Sequence, residues 1–233
     1  MSLRLVGSPD NRPRLLDLFS GAGGAGRGYQ NAGFHVTGVD IVAQPEYGGD
    51  VFVKGDALEY LDKHWHEFDA IHASPPCQSS STLTKGTNKG REYLDLIPQT
   101  RDMLSELSQP SVIENVSSAD VRQDLTLCGE MFGLGVIRHR WFELIGWCAQ
   151  EPEHVPHRGR VAGYRHGVWY KGPYVAVYGK GGGKGTIPEW QSAMETPWIS
   201  KRRSLAQAIP PAYTEYIGRQ LMAQIANGTM LAA

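Results

Sequence analysis

The sequence predicts an α/β protein, a mostly parallel sheet with helices on both faces and a small irregular inserted lobe. Three observations carry this. Short apolar runs at Arg14–Phe19, Phe34–Val39, Val51–Lys54, Phe68–Ala73 and Pro110–Ile113 have the length and composition of buried parallel strands. Helix-length stretches separate most of them, so strand and helix alternate. After the first run comes Ser20-Gly21-Ala22-Gly23-Gly24-Ala25-Gly26, a glycine turn of the kind that opens a nucleotide-binding unit.

Residues 1–13, with Pro9 and Pro13, form a loose lead-in. The first strand enters the glycine turn, then a helix through Gln30 that Gly33 ends. The second strand closes on Asp40, an acid able to accept both hydroxyls of a ribose. Gly21, Gly23 and Gly26 fit G-x-G-x-x-G, with Asp40 nineteen residues after Gly21. On these residues alone a dinucleotide-binding protein is a rival. Val51–Lys54 is the third strand, and Gly55-Asp56 begins a helix to about Lys63 with Asp56 as N-cap. After the Phe68–Ala73 strand, a helix runs from about Arg91 to Leu107, and the next strand ends in Glu114-Asn115-Val116. Leu127–Gly133 reads as a short helix and turn. Arg138–Leu144 reads as a strand whose alternation points Arg138 and Arg140 to one side. Ile145–Arg203 has no clean periodicity; Ser204–Ile225 is a helix, a Pro210-Pro211 break and a final helix. The expected division is a catalytic domain of residues 14–144 plus 204–226, with a basic lobe at 145–203.

At 233 residues, 41% hydrophobic and 20% charged, the composition is that of an ordinary globular protein. No apolar run is long enough to span a bilayer and no secretory leader is visible, so the cytoplasm is expected. Three cysteines, Cys77, Cys128 and Cys148, are too few for a disulfide framework. Residues 1–150 carry 13 Lys and Arg against 19 Asp and Glu, whereas residues 151–233 carry 10 against 5. An acidic body with a basic final third fits a polyanion approaching one side, and fits a solvated surface equally well.

The chemistry centres on Ala73-Ser74-Pro75-Pro76-Cys77-Gln78. Two prolines stop the strand ladder and stiffen the backbone, aiming the next side chain, a thiol. That thiol sits at the carboxyl end of a strand, where ligands of α/β proteins bind. Glu114 ends a neighbouring apolar run, and a carboxylate there needs a partner. Lys85, Lys89 and Arg91, in the polar stretch after Cys77, are candidate phosphate contacts. Lys180 and Lys184 lie among glycines one residue short of a P-loop spacing, and they are read as phosphate contacts too. Cys148, His154, His157 and His166 do not match a standard zinc spacing, so no metal is expected.

Asp17-Leu18-Phe19-Ser20-Gly21-Ala22-Gly23-Gly24, Pro75-Pro76-Cys77-Gln78, Glu114-Asn115-Val116 and Arg138-His139-Arg140 occur in this order. Together the four strings resemble the motifs of the DNA cytosine-5 methyltransferase family, in its compact bacterial or phage form. The resemblance implies the S-adenosylmethionine-dependent methyltransferase version of the Rossmann-like fold. It implies S-adenosylmethionine as cofactor, bordered by Phe19, Gly21, Gly23, Asp40, Asp56 and Pro75. It also implies Cys77 as nucleophile on carbon 6 of cytosine, Glu114 on ring nitrogen 3 and the amino group, Arg140 on the carbonyl oxygen and Arg138 in support. Gln78, Ser80, Lys85, Lys89, Arg91, Lys180 and Lys184 would meet double-stranded DNA with its target cytosine flipped out. A monomer in a bacterial or phage-infected cell, in the setting of restriction and modification, is expected, with no membrane partner. An RNA or tRNA cytosine-5 methyltransferase, and an idle cofactor- or DNA-binding regulator, are the alternatives. The chain departs from the family at Val136, where a glutamine is usual, at Gln207-Ala208, and in the 63 residues from Trp141 to Arg203 that replace a large recognition lobe.

Overall fold

The computed structural model describes residues 11–76, 95–179 and 185–226. Five parallel strands form most of one sheet: β1 (Arg14–Leu18), β2 (His35–Asp40), β3 (Val51–Lys54), β4 (Ala70–Ala73) and β5 (Ser111–Asn115). β6 (Leu125–Leu127) and β7 (Arg140–Ile145) complete it in the order β3-β2-β1-β4-β5-β7-β6, with β7 antiparallel to both of its neighbours. The chain leaves β1 towards β3, then returns to β4 on the other side of β1. That reversal opens a crevice at the carboxyl edge, between β1 and β4.

Alternation along β1 divides the core. Leu15 faces α1 (Gly24–Ala32) and α6 (Pro211–Ala226) together with Val36, Ala70, Val112, Tyr29, Tyr213 and Ile217. Leu16 and Leu18 face α2 (Ala57–His64) and α3 (Ile97–Ser105) with Val39, Ile71, Leu61 and Leu104. The expected helices on both faces are present. On the α3 side Glu143 of β7 accepts two hydrogen bonds from Arg101, at 2.8 and 2.9 Å. This pairs a carboxylate whose side chain is only 1% exposed.

Two short elements lie where the sequence suggested none. Leu125–Leu127 is an edge strand, and Tyr164 and Trp169 cap a hairpin of β8 (Gly163–Arg165) and β9 (Val168–Tyr170). Three-residue strands contain too little alternation to register as periodicity. The segment expected as a separate lobe over 145–203 also contributes to the core. Val177, Ile199, and Trp190 and Met194 of α4 (Ile187–Met194) are buried with Leu205 of α5 (Arg202–Gln207).

α1 and α6 touch through small residues. A Cβ on Gly28 would stand 2.1 Å from both the Pro211 carbonyl oxygen and Thr214 Oγ1. Thr214 Oγ1 meanwhile donates to the Ala25 carbonyl at 2.8 Å. Gly28→Ala is therefore expected to destabilise by roughly 2–3 kcal/mol through forced separation of the helices. Urea unfolding measures it, and an unchanged midpoint would contradict the packing.

Candidate active site

The carboxyl edge gathers the candidate residues of the described chain. On its β1–β3 side, Asp40 receives the Gly21 N–H on Oδ2 at 2.9 Å and the Val42 N–H on Oδ1 at 2.8 Å. It thereby pins the glycine turn to the end of β2. Phe19 and Gly21 take left-handed backbone, at φ 57° and 49°. For a bulky residue such as Phe19 this conformation is strained, a feature common at ligand sites.

The glycines of the turn serve different neighbours. Cβ atoms on Gly23 and Gly26 would collide with the ring of Tyr47, and one on Gly24 would reach the Ile209 carbonyl at 2.3 Å. Only at Gly21, of these four, is there nothing within 4 Å. Most of the glycine pattern therefore answers to packing inside the protein, and Gly21 faces open space. Ile41 and Val42, 68% and 61% exposed, stand just after Asp40 as an apolar surface that the sequence reading passed over. Asp56 caps α2 by accepting the Leu58 and Glu59 N–H groups at 2.9 and 3.0 Å, both on Oδ1. Among the described residues its Oδ2 has no hydrogen bond.

On the other side of the crevice, Glu114 Oε1 meets Arg140 Nε at 2.9 Å. Their side chains are 8% and 13% exposed. The antiparallel register, Glu114 opposite Phe142 and Asn115 opposite Trp141, carries Arg140 to the end of β5. Asn115 Nδ2 donates to the Pro75 carbonyl at 2.9 Å, and the Ser74 N–H donates to the Leu18 carbonyl at 3.1 Å. The segment leading to Cys77 is thus tied to both β1 and β5. Pro75 is buried and Pro76 exposed, so the chain turns outward there.

Arg138 departs from expectation. The strand starts at Arg140, and Arg138 itself takes φ 40°, so alternation does not align the two side chains. Arg138 instead donates to the Val177 and Ala206 carbonyls, each at 2.8 Å, while Tyr213 Oη donates to the Arg138 carbonyl at 2.8 Å. It holds the approach to Arg140 in place. Cys77, Gln78, Ser80, Lys85, Lys89, Arg91, Lys180 and Lys184 lie outside the described residues.

Beneath the crevice runs a buried polar array that sequence reasoning missed. Tyr29 Oη lies 3.0 Å from His72 Nδ1, and His72 Nε2 lies 3.0 Å from Ser74 Oγ. Burial pushes the His72 pKa down to about 3, so the ring is neutral and links the core to the residue before Pro75. Asp17, on the same face of the sheet, accepts the Tyr47 hydroxyl at 3.2 Å. Its other oxygen is buried with no partner among the described residues. Burial pushes the Asp17 pKa up to about 7, against the lowering effect of the Tyr47 bond.

A seven-stranded sheet of this order, six strands in one direction and β7 reversed, with its crevice at the β1–β4 switch point, defines the Rossmann-like S-adenosylmethionine-dependent methyltransferase fold. The structure of the S. pombe Dnmt2 methyltransferase is similar with a TM-score of 0.59 at 14% identity, over 92% of this chain and 99% of that one. The Entamoeba histolytica methyltransferase EhMeth is similar with a TM-score of 0.56 at 12% identity, over the same 92% and 99%. Within that fold, residues 13–123 match the family of C-5 cytosine-specific DNA methylases. A type II methyltransferase, M.FnuDI of Fusobacterium nucleatum, is 31% identical over 105 residues, 39% of this chain. The match spans 29% of that relative's length. The resemblance carried by the sequence motifs is thus borne out over residues 13–123, which are similar to the C-5 cytosine methyltransferases. No helix among the described residues is long and apolar enough to cross a membrane.

The shifted pKa of Asp17 makes a stability prediction. At low pH the carboxyl is protonated in both folded and unfolded chains. As pH rises from about 4 to about 7 the unfolded chain ionises first, and stability falls by a few kcal/mol to a floor above the folded pKa. His72 acts oppositely, losing stability as pH drops below its ordinary 6.5, but it contributes equally to wild type and to an Asp17 variant. Asp17→Asn is expected to be the more stable protein near pH 8, with the gain vanishing towards pH 4, in thermal melts across that range. A gain independent of pH would refute the buried-acid account.

Proposed function

We propose that the chain transfers a methyl group from S-adenosylmethionine to carbon 5 of cytosine in DNA, through a covalent Cys77 adduct on a flipped-out base. The observation carrying this reading is the Glu114–Arg140 pair, set at the ends of β5 and β7 beside the tethered Ser74-Pro75-Pro76 lead to Cys77. In the sheet order β4 alone stands between β5 and β1, the strand that enters the glycine turn.

The residues on the β1–β3 side fit the cofactor. Space beside Gly21 admits the methionine end, Asp40 closes β2 where a ribose would lie, and Ile41 and Val42 offer an apolar face to adenine. The free oxygen of Asp56 suits the adenine amino group. The cofactor supplies an electrophilic methyl on a sulfonium; all other chemistry falls to the chain and the base.

The Cys77 thiolate adds to carbon 6 of cytosine, and the displaced electron pair makes carbon 5 nucleophilic. Glu114 delivers a proton to ring nitrogen 3 and accepts a hydrogen bond from the exocyclic amino group, and the Arg140 guanidinium donates to the carbonyl oxygen, so the negative charge that develops on nitrogen 3 and the oxygen is met by a proton and a cation. Pre-pairing keeps each side chain oriented before the base arrives. After carbon 5 accepts the methyl group, a base removes its proton, the carbon 5–carbon 6 double bond reforms and Cys77 leaves as thiolate. Arg138 acts as a positioning residue, because its bonds to Val177 and Ala206 fix the entry to Arg140.

Mass spectrometry of DNA from cells expressing the protein is expected to show 5-methylcytosine. DNA carrying 5-fluorocytosine at a methylated site should trap the wild type covalently, and Cys77→Ala should abolish both trapping and transfer while retaining cofactor. Transfer without a trapped adduct would remove Cys77 from the role of nucleophile. On the cofactor side, Ile41→Glu is expected to weaken S-adenosylmethionine binding about tenfold, near 1.4 kcal/mol by calorimetry. Because Ile41 is 68% exposed, the thermal midpoint should hold. Unchanged affinity would place adenine elsewhere.

A further inference from the structure

A second cluster of reactive side chains lies behind the Arg138–Arg140 turn, outside the methyl-transfer chemistry. Cys128 follows β6, His139 sits between the two arginines, and His154 and His157 come from the loop after β7. One ligand atom from each of the four lies within 4.8 Å of all the others. His139 Nε2 is 3.1 Å from His154 Nε2, and Cys128 Sγ is 3.4 Å from His157 Nε2. A tetrahedral zinc ion with bonds of roughly 2.0–2.3 Å requires ligand atoms spaced by roughly 3.3–3.6 Å.

We propose that Cys128, His139, His154 and His157 form a tetrahedral CysHis3 site for a zinc-class divalent cation. The donor set is one soft thiolate with three imidazoles, a combination that selects zinc or cobalt over the oxygen-seeking magnesium and calcium. The three imidazole rings lie 5.1–5.4 Å apart by centroid, nitrogen facing nitrogen or sulfur, with no carboxylate among them. The nearby carboxylate, Glu130, is engaged by Arg158 and Tyr174. Cys128 is fully buried and opens a 3-10 turn whose Glu130 and Met131 N–H groups are directed at Sγ. Burial disfavours the free thiolate more than these donors favour it, so the cation itself displaces the thiol proton. On binding, the thiol gives up its proton and each imidazole binds through an unprotonated nitrogen, so uptake of the ion releases protons.

The Cys148, His154, His157 and His166 spacing fails as a zinc motif because two of the ligands lie elsewhere in the chain. His154 and His157 belong to the site, but their partners are Cys128 and His139, brought in by the β6–β7 pairing. The ion staples the otherwise irregular 148–162 stretch to the turn that carries Arg138 and Arg140. Its role is structural, since all four positions are filled by protein.

Elemental analysis of the full chain, purified without chelators, is expected to give about one zinc per molecule. After chelation and reloading, the cobalt form should show the visible bands of a tetrahedral centre and a near-ultraviolet thiolate charge-transfer band. Cys128→Ser should lose that charge-transfer band, and Cys148→Ser should keep it. His154→Ala/His157→Ala, at exposed positions where folding is spared, should retain under about a tenth of an ion per chain and lose the zinc-dependent rise in melting temperature seen in wild type. Wild type that keeps no stoichiometric metal after reloading and gel filtration would overturn the proposal, as would a charge-transfer band that survives Cys128→Ser.

Discussion

Much of the molecule depends on the buried pairing of Glu114 with Arg140. Neither group can sit at the edge of a core alone. Removing one partner of such a pair leaves an uncompensated charge, at a cost of about 3–5 kcal/mol. Their meeting requires β7 to run against β5 in a single register, because a slip of one residue would turn Arg140 to the opposite face of the sheet. The reversal of β7 in turn fixes where the 125–139 segment returns and where Arg138 must anchor. One ion pair at 2.9 Å thus couples the sheet topology to the geometry of the proposed chemistry.

A second constraint acts on the β1–β3 side. Tyr47 lies against Gly23, Gly26 and Gly38, and its hydroxyl reaches Asp17. The aromatic ring fills the space behind the turn and shields a carboxyl that burial keeps near neutrality. Trp198 adds a brace from the other end of the chain, its indole N–H donating to the Ala22 carbonyl at 3.0 Å and its ring lying beneath Arg27. The turn is rigid because aromatic rings hold it, whatever the ligand.

The five parallel strands were legible because each is a continuous apolar run bounded by glycine, proline or acid, and Asp56 capped α2 as its sequence context required. Glu114 was legible as a carboxylate ending an apolar strand in need of a partner. Its pairing with Arg140 was not, since it arises from strand register across 26 residues of sequence. The direction of Arg138 depended on a left-handed residue just before the strand, and arginine gives no signal of that conformation. Tyr47 was hidden for a similar reason: a loop aromatic reveals its contacts only when the loop folds back. Ile41 and Val42 were passed over because two apolar residues after a strand end carry no periodicity; the strand ends at Asp40, as expected, and leaves them in solvent.

The contact between α1 and α6 has a consequence for biosynthesis. The glycine turn is braced by Trp198, Ile209 and Thr214, residues nearly two hundred positions later in the chain. A chain emerging from the ribosome completes β1, its turn and α1 long before those braces exist. The first part of the site to be translated is therefore among the last to become rigid. A product terminated before α6 carries the glycine turn without the residues that brace it.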